Sequence, residues 1–200
     1  MTQLIRKATT FEIINHWILA ISFFLLAITG FGFLFRLEWM ASIFGSFNSM
    51  RAIHNWSGVV FTIALFGTMF HYLPVALSWS KDDMEWLKKA GGYLSKNVKV
   101  PPQDIINAGQ KLFYLFLLIF GIVISASGFV IWLMPGVRQW VLISHLLHNI
   151  AFDLLVIAIP LHIYLGTLAN PGTFRIMVYG TVPVEWARKR HGKWVQRLGY

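Results

Sequence analysis

Apolar residues along this chain gather in four long blocks, roughly 13–35, 56–78, 112–134 and 140–169. Each block reaches or exceeds the ~20 mostly apolar residues that an α-helix needs to cross a ~30 Å hydrocarbon core. The pattern predicts an all-α membrane protein, a four-transmembrane-helix bundle forming a single domain over 1–200, with 170–200 as a basic tail. Trp17 stands near the start of the first helix, as an interfacial anchor would. Pro74 falls near the end of the second, where a break costs little. Between the second and third blocks, "SWSKDDMEWLKKAGGYLSKN" sets Trp86, Leu87 and Leu94 among lysines, which predicts a short interfacial helix stopped by Gly91 and Gly92. Pro101 and Pro102 then separate it from "NAGQK" and the third helix.

Composition agrees with the pattern: 56% of the 200 residues are hydrophobic and 12% charged, well above the ~45–50% apolar share of soluble domains. The first block is longer than the ~7–15-residue core of a secretion signal, and "FLFRLEW" after it offers no small-residue cleavage site, so it is expected to stay in the mature protein. Cysteine is absent. That excludes disulfides, cysteine-ligated iron–sulfur clusters and thioether-linked haem, so any haem must be held noncovalently by side chains such as histidine.

Charge sets the orientation. Of the 17 Lys and Arg, all but Arg36, Arg51 and Arg138 fall in the N-terminus (Arg6, Lys7), the middle loop with the start of the third helix (Lys81, Lys88, Lys89, Lys96, Lys99, Lys111) or the tail (Arg175, Arg188, Lys189, Arg190, Lys193, Arg197). The positive-inside rule makes both termini and the middle loop cytoplasmic. The net charge of +9 is matched to anionic lipid headgroups and not to nucleic acid, because "WARKRHGKW" directly follows a membrane exit.

Seven histidines are present: His16, His54, His71, His145, His148, His162 and His191. The predicted orientation puts His16 near the cytoplasmic face, His54 and His148 near the outer face, and His162 about 21 Å deeper than His148 at ~1.5 Å per residue. Fourteen positions at ~100° each leave His148 and His162 about 40° apart, on one helix face. Haem b takes axial imidazoles from opposite sides, supplied by facing helices. Depth therefore pairs His54 with His148 for an outer haem iron and His16 with His162 for an inner one, a di-haem core spanning the membrane. The alternative is that each histidine sits at an interface or bonds a neighbouring backbone group. His71, near the inner end of the second helix, needs no special role; His191 lies in the basic tail; His145 either supports the outer haem or is an ordinary exposed histidine.

Two further features carry chemistry. In "INAGQKLF", Asn107 with Gln110 three residues later fits a capping box. Gly109 is not explained by a cap, since glycine costs helix stability unless something approaches the backbone closely. A quinone headgroup has two carbonyls wanting donors, which Asn107, Gln110, free backbone N–H groups and a nearby haem histidine could supply. Cap and quinone site both stand on the residues alone. Asp153, in mid-helix, points away from both haem ligands of its helix, with Asn149 one turn earlier as its expected partner.

Taken together, "NHW", "RAIH", "NAGQK", and a histidine followed fourteen positions later by "HIY" resemble the membrane cytochrome b subunit (gamma subunit) of respiratory formate dehydrogenase. The similarity continues through "DDMEWL" and "GTVPVEWARKRHGKW" over nearly the whole chain. The resemblance implies two haems b, with His54 and His148 on the outer iron and His16 and His162 on the inner one. It also implies a menaquinone or ubiquinone site lined by Asn107, Gly109, Gln110 and His162, and an iron–sulfur subunit and a molybdenum or tungsten catalytic subunit on the periplasmic side of a bacterial inner membrane. The stretch "YLPVALSWS" after His71 departs from that family's acidic, asparagine-containing exit.

The function expected is transfer of electrons from a periplasmic iron–sulfur partner across the membrane to quinone near the cytoplasmic face, in a complex open to higher oligomerisation, with formate oxidation in a partner chain. The alternatives are the cytochrome of a hydrogenase or sulfur-compound reductase, and, from a different class, a redox-inert membrane anchor or a small proton-coupled transporter.

Overall fold

The computed structural model describes residues 3–93 and 97–200. Leu94 and Lys96 of the interfacial segment lie outside the described residues. In chain order the elements are strand β1 (Leu4–Arg6), helices α1 (Thr10–Leu34), α2 (Glu38–Ile43), α3 (Phe47–Leu77) and α4 (Lys81–Lys88), a 3-10 turn (Ala90–Gly92), α5 (Ala108–Leu133), α6 (Arg138–Gly166) and α7 (Arg175–Tyr179), strand β2 (Thr181–Pro183), and helices α8 (Val184–Arg190) and α9 (Gly192–Arg197). Helices α1, α3, α5 and α6 are each long and apolar enough to cross a membrane. They match the four blocks with one shift: α3 starts at Phe47, not near 56, so "RAIH" is helical and His54 lies well inside the helix. The Ser46 hydroxyl, accepting from the Ser49 N–H at 3.1 Å, satisfies one of the orphan donors at that earlier start.

The chain forms two compact units. The first comprises residues 14–68 and 117–160, the central lengths of the four long helices with α2. Its interior holds Leu19, Phe23, Phe61, Leu65, Leu117 and Leu155, while Ile21, Phe24, Ile28, Ile63, Phe66, Ile119, Ile122 and Ile157 are exposed. Such an outer surface is stable only against hydrocarbon. With no hydrophobic drive between helices in lipid, close packing and interhelical hydrogen bonds do the joining: the Asn15 amide donates to the Ala64 carbonyl at 2.9 Å and the Thr68 hydroxyl at 2.8 Å, and Thr62 donates to Ser125 at 3.0 Å.

The second unit comprises residues 1–13, 69–116 and 161–200. Within the basic 170–200 tail, β2 pairs antiparallel with β1, with Ile5 opposite Val182. Ile5, Ala8, Ile176, Val182, Val184, Ala187, Trp194 and Val195 close a small core beneath them. The Asp104 carboxylate receives both terminal nitrogens of Arg197, at 2.6 and 3.0 Å. His191, 2% exposed, donates from Nδ1 to the Asp104 carbonyl at 2.6 Å. Burial, with Lys7 and Arg190 nearby, pushes its imidazole down to about 3. Lys7 sits 4.8 Å over the Trp194 ring and donates to the Ile105 carbonyl. Burial, only partly offset by Asp104 and Glu12, lowers its ammonium to about 7. In α4 the interfacial helix appears as expected, opened by a capping box between Ser80 and Asp83 and ended where Gly91 (φ 62) and Gly92 (φ 74) adopt left-handed backbone.

Candidate functional site

His54 on α3 and His148 on α6 both belong to the first unit, and they face each other with ring centres 6.3 Å apart. Two imidazoles sharing one iron through Nε2 at ~2 Å per bond, with roughly 1 Å more from each nitrogen to its ring centre, would hold their centres about 6 Å apart. The hydrogen bonds fix the tautomers that such an iron requires. The Thr29 hydroxyl has one proton and gives it to the Leu25 carbonyl at 2.7 Å. It therefore accepts from His54 Nδ1, 2.7 Å away. His148 Nδ1 stands 3.0 Å from the Ile124 carbonyl, which can only accept, and 3.2 Å from the Ser127 hydroxyl. Both rings thus carry their proton on Nδ1 and present the Nε2 lone pair, the arrangement by which metal-bound histidines are oriented. The pair fits a haem iron.

In the second unit, "NAGQK" opens α5. The Asn107 N–H donates to Gln110 Oε1 and the Gln110 N–H to Asn107 Oδ1, each at 2.9 Å, so the capping box is formed in full. Gln103 adds an acceptor for the Ala108 N–H at 3.0 Å. Gly109 is explained by Trp86 of α4: a Cβ there would stand 2.9 Å from the indole. Lys111 donates to Asp83 at 2.9 Å and to the Ser78 carbonyl at 2.6 Å. Both side chains of that ion pair are only 6% exposed. The two motifs "DDMEWL" and "NAGQK" are thus one packed assembly. One turn further along α5, Phe113 stacks on His162, with ring centres 4.4 Å apart and planes 7° apart. The start of α5 therefore brings Asn107, Gly109 and Gln110 into the same unit as His162. His16 lies in the first unit, edge-on to the Trp17 ring at 5.6 Å.

Several groups escaped the sequence reading. Thr29 and Ser127 were legible only as hydroxyls inside apolar runs. His71 is more than a surface histidine: its Nε2 lies 3.1 Å from Glu12 Oε1. Tyr72 donates to the same oxygen and stacks on Tyr114 at 4.9 Å. Glu12 also closes a capping box with Thr9 at the start of α1. Asp153 does point away from the His54–His148 pair and is exposed, as are Asn149 and His145. The expected bond from Asn149 to Asp153 does not form among the described residues, since each is turned outward on the helix surface.

Residues 7–180 match the family described as prokaryotic cytochrome b561. The chain is 32% identical over 201 residues to the formate dehydrogenase cytochrome b556(fdo) subunit of Escherichia coli K12, covering 96% of this chain and 92% of that protein. It is 30% identical over 190 residues to the nitrate-inducible formate dehydrogenase cytochrome b556(Fdn) subunit of the same organism, covering 92% and 86%. The formate dehydrogenase cytochrome b556 subunit of Haemophilus influenzae is 31% identical over 208 residues, covering 96% and 82%. Four membrane-length helices, a histidine pair poised for haem iron and a family match over most of the length lead to one conclusion: this chain is a multi-pass membrane cytochrome b of the prokaryotic cytochrome b561 family.

Proposed function

We propose that this chain is the di-haem b membrane subunit of a formate dehydrogenase complex, carrying electrons from an iron–sulfur partner on the periplasmic side to quinone near the cytoplasmic face. The observation that supports it most is the facing of His54 and His148 with both Nδ1 protons committed to Thr29, Ile124 and Ser127. Haem b, when bound, supplies one-electron redox chemistry. His54 and His148 hold the outer iron. Depth along the sequence and the fourteen-residue spacing to His148 assign His16 and His162 to the inner one.

At the quinone, the chain's own groups divide the work. The side-chain oxygens of Asn107 and Gln110 are spent on the cap. What they offer a quinone carbonyl is therefore their amide NH2 groups, held in fixed directions by that same cap. Trp86 against Gly109 fixes the turn, and the Asp83–Lys111 pair anchors it to α4. Electrons moving inward while protons are taken up from inside would make the reaction electrogenic, at about 2.3 kcal/mol per charge per 100 mV. The test is a haem count on the purified complex with formate-driven quinone reduction. Two haems b, with quinone reduced only when both are present, is the expected result; purified chain without haem b would leave only the anchor or transporter class.

A further inference from the structure

In the second unit, Glu12 stands at a junction that neither haem ligation nor the α5 cap uses. Its Oε1 atom faces two groups of α3: His71 Nε2 at 3.1 Å and the Tyr72 hydroxyl, which donates to it. The His71 side chain is 53% exposed and that of Glu12 10%, so one carboxylate oxygen joins an exposed ring to a half-buried phenol. Glu12 lies in the first turn of α1 and His71 within two turns of the end of α3, which sets the cluster at a membrane boundary. The choice of partner is unlike that of the other carboxylates. Asp82, Asp83, Glu85 and Asp104 pair with lysine or arginine, whereas histidine takes up and gives back a proton near neutral pH. Lys7 is a further charged group on which Glu12 acts. On the far side of Tyr72, the Tyr114 ring stacks on it, centres 4.9 Å apart. Tyr114 follows Gln110 by four positions and so shares its face of α5, and Phe113 beside it is the ring stacked on His162.

We propose, resting on the quinone-reducing reading above, that His71, Glu12 and Tyr72 form the relay by which protons pass from the aqueous side to a quinone at the start of α5. Each quinone takes two electrons, from the haem, and two protons. For each proton, the exposed His71 imidazole binds one from water at Nδ1 and releases its Nε2 proton to Glu12 Oε1, and exchange with water restores the tautomer. While Glu12 is ionised, Tyr72 donates to it. Once neutral, Glu12 donates instead, and the Tyr72 oxygen takes that proton as its own O–H bond breaks toward the Tyr114 and Gln110 side. Over the cycle no group of the relay changes charge. An arginine would tie α1 to α3 more firmly, through two parallel hydrogen bonds; a histidine and a phenol on one oxygen give up that strength for exchangeable protons.

The test compares variants in the intact complex. Glu12→Gln keeps the cap with Thr9, since glutamine serves in a capping box as glutamate does, but it cannot carry a proton. Haem content and haem reduction by formate should be unchanged, while quinone turnover falls by roughly 100-fold at unaltered KM, with an enlarged solvent isotope effect. Tyr72→Phe, which keeps the stack on Tyr114, should slow turnover in the same way. His71→Ala should slow it most at alkaline pH, and added imidazole should restore it. An infrared difference spectrum recorded on reduction of the quinone should carry a carboxylic-acid C=O band that Glu12→Gln removes. Wild-type turnover in Glu12→Gln would overturn the inference, as would slowed turnover that comes with lost haem or a raised KM, the mark of a merely structural tie. A wild-type complex that reduces no quinone with formate would overturn the proposed function and this relay together, whereas equal turnover in wild type and Glu12→Gln would overturn the relay alone.

Discussion

At the scale of single residues, the His54–His148 pair shows how much is set by one proton. Thr29 can accept from His54 only because its own proton is given to Leu25. Thr29→Val removes that acceptor while keeping the shape, and should weaken haem retention at this pair by about 10–100-fold, as losing the partner of a metal-bound histidine typically does; haem content after dialysis against a haem scavenger measures it. His54→Ala or His148→Ala should lose one haem selectively, read as a halved haem b absorbance. Asn107→Ser separates cap from quinone site. Serine caps about as well as asparagine but cannot copy its amide donor, so haem reduction by formate should persist while quinone turnover slows. Unchanged turnover would reduce Asn107 to its cap.

At the scale of elements, the α4–α5 assembly is held by a buried ion pair whose halves are not separable. Asp83→Ala would leave the Lys111 ammonium buried with the Ser78 carbonyl as its remaining acceptor, and removing one member of such a pair costs about 3–5 kcal/mol. A marked fall in the melting temperature of the detergent-solubilised protein is expected, largely restored by Asp83→Ala with Lys111→Met. Gly109→Ala should disturb the same joint by driving a methyl into Trp86. This is where sequence reasoning was incomplete. "NAGQK" displayed the capping box because a cap is local, within one turn, whereas the cause of Gly109 lies on another helix more than twenty positions earlier, and no local pattern announces which indole will arrive.

At the scale of the molecule, the packed terminal segments tie stability to pH. His191 titrates at about 3 in the fold against an ordinary ~6.5. The unfolded segment therefore binds more protons between those values, and stability falls as pH drops from about 6.5 to about 3. Lys7, lowered to about 7 from an ordinary ~10.4, acts in the same sense: the unfolded chain again binds more protons, so stability rises between those values as pH increases. Hydrogen-exchange protection at His191 and Val195, whose amides donate to Ala187 and His191, should therefore weaken on acidification. His191→Asn, which keeps a donor for the Asp104 carbonyl without the titration, should flatten the acid limb.

The sequence by itself determined the four spans, their limits to within a turn except at the start of α3, the histidines with their spacing along α6, and the family, because hydrophobic length and helical periodicity are properties of contiguous residues. It also determined that Asp153 turns away from His148 and His162, which follows from the angle per residue. Only the tertiary structure decided that His54 and His148 stand 6.3 Å apart with their Nδ1 atoms engaged by Thr29, Ile124 and Ser127, that Trp86 requires Gly109, that Glu12 gathers His71 and Tyr72, and that the basic tail folds back through β2 onto β1 around a buried His191 and Trp194. Each of these is a meeting of residues distant in the chain, fixed by packing and by the need of every buried donor for an acceptor, and that need has no signature within one stretch of sequence.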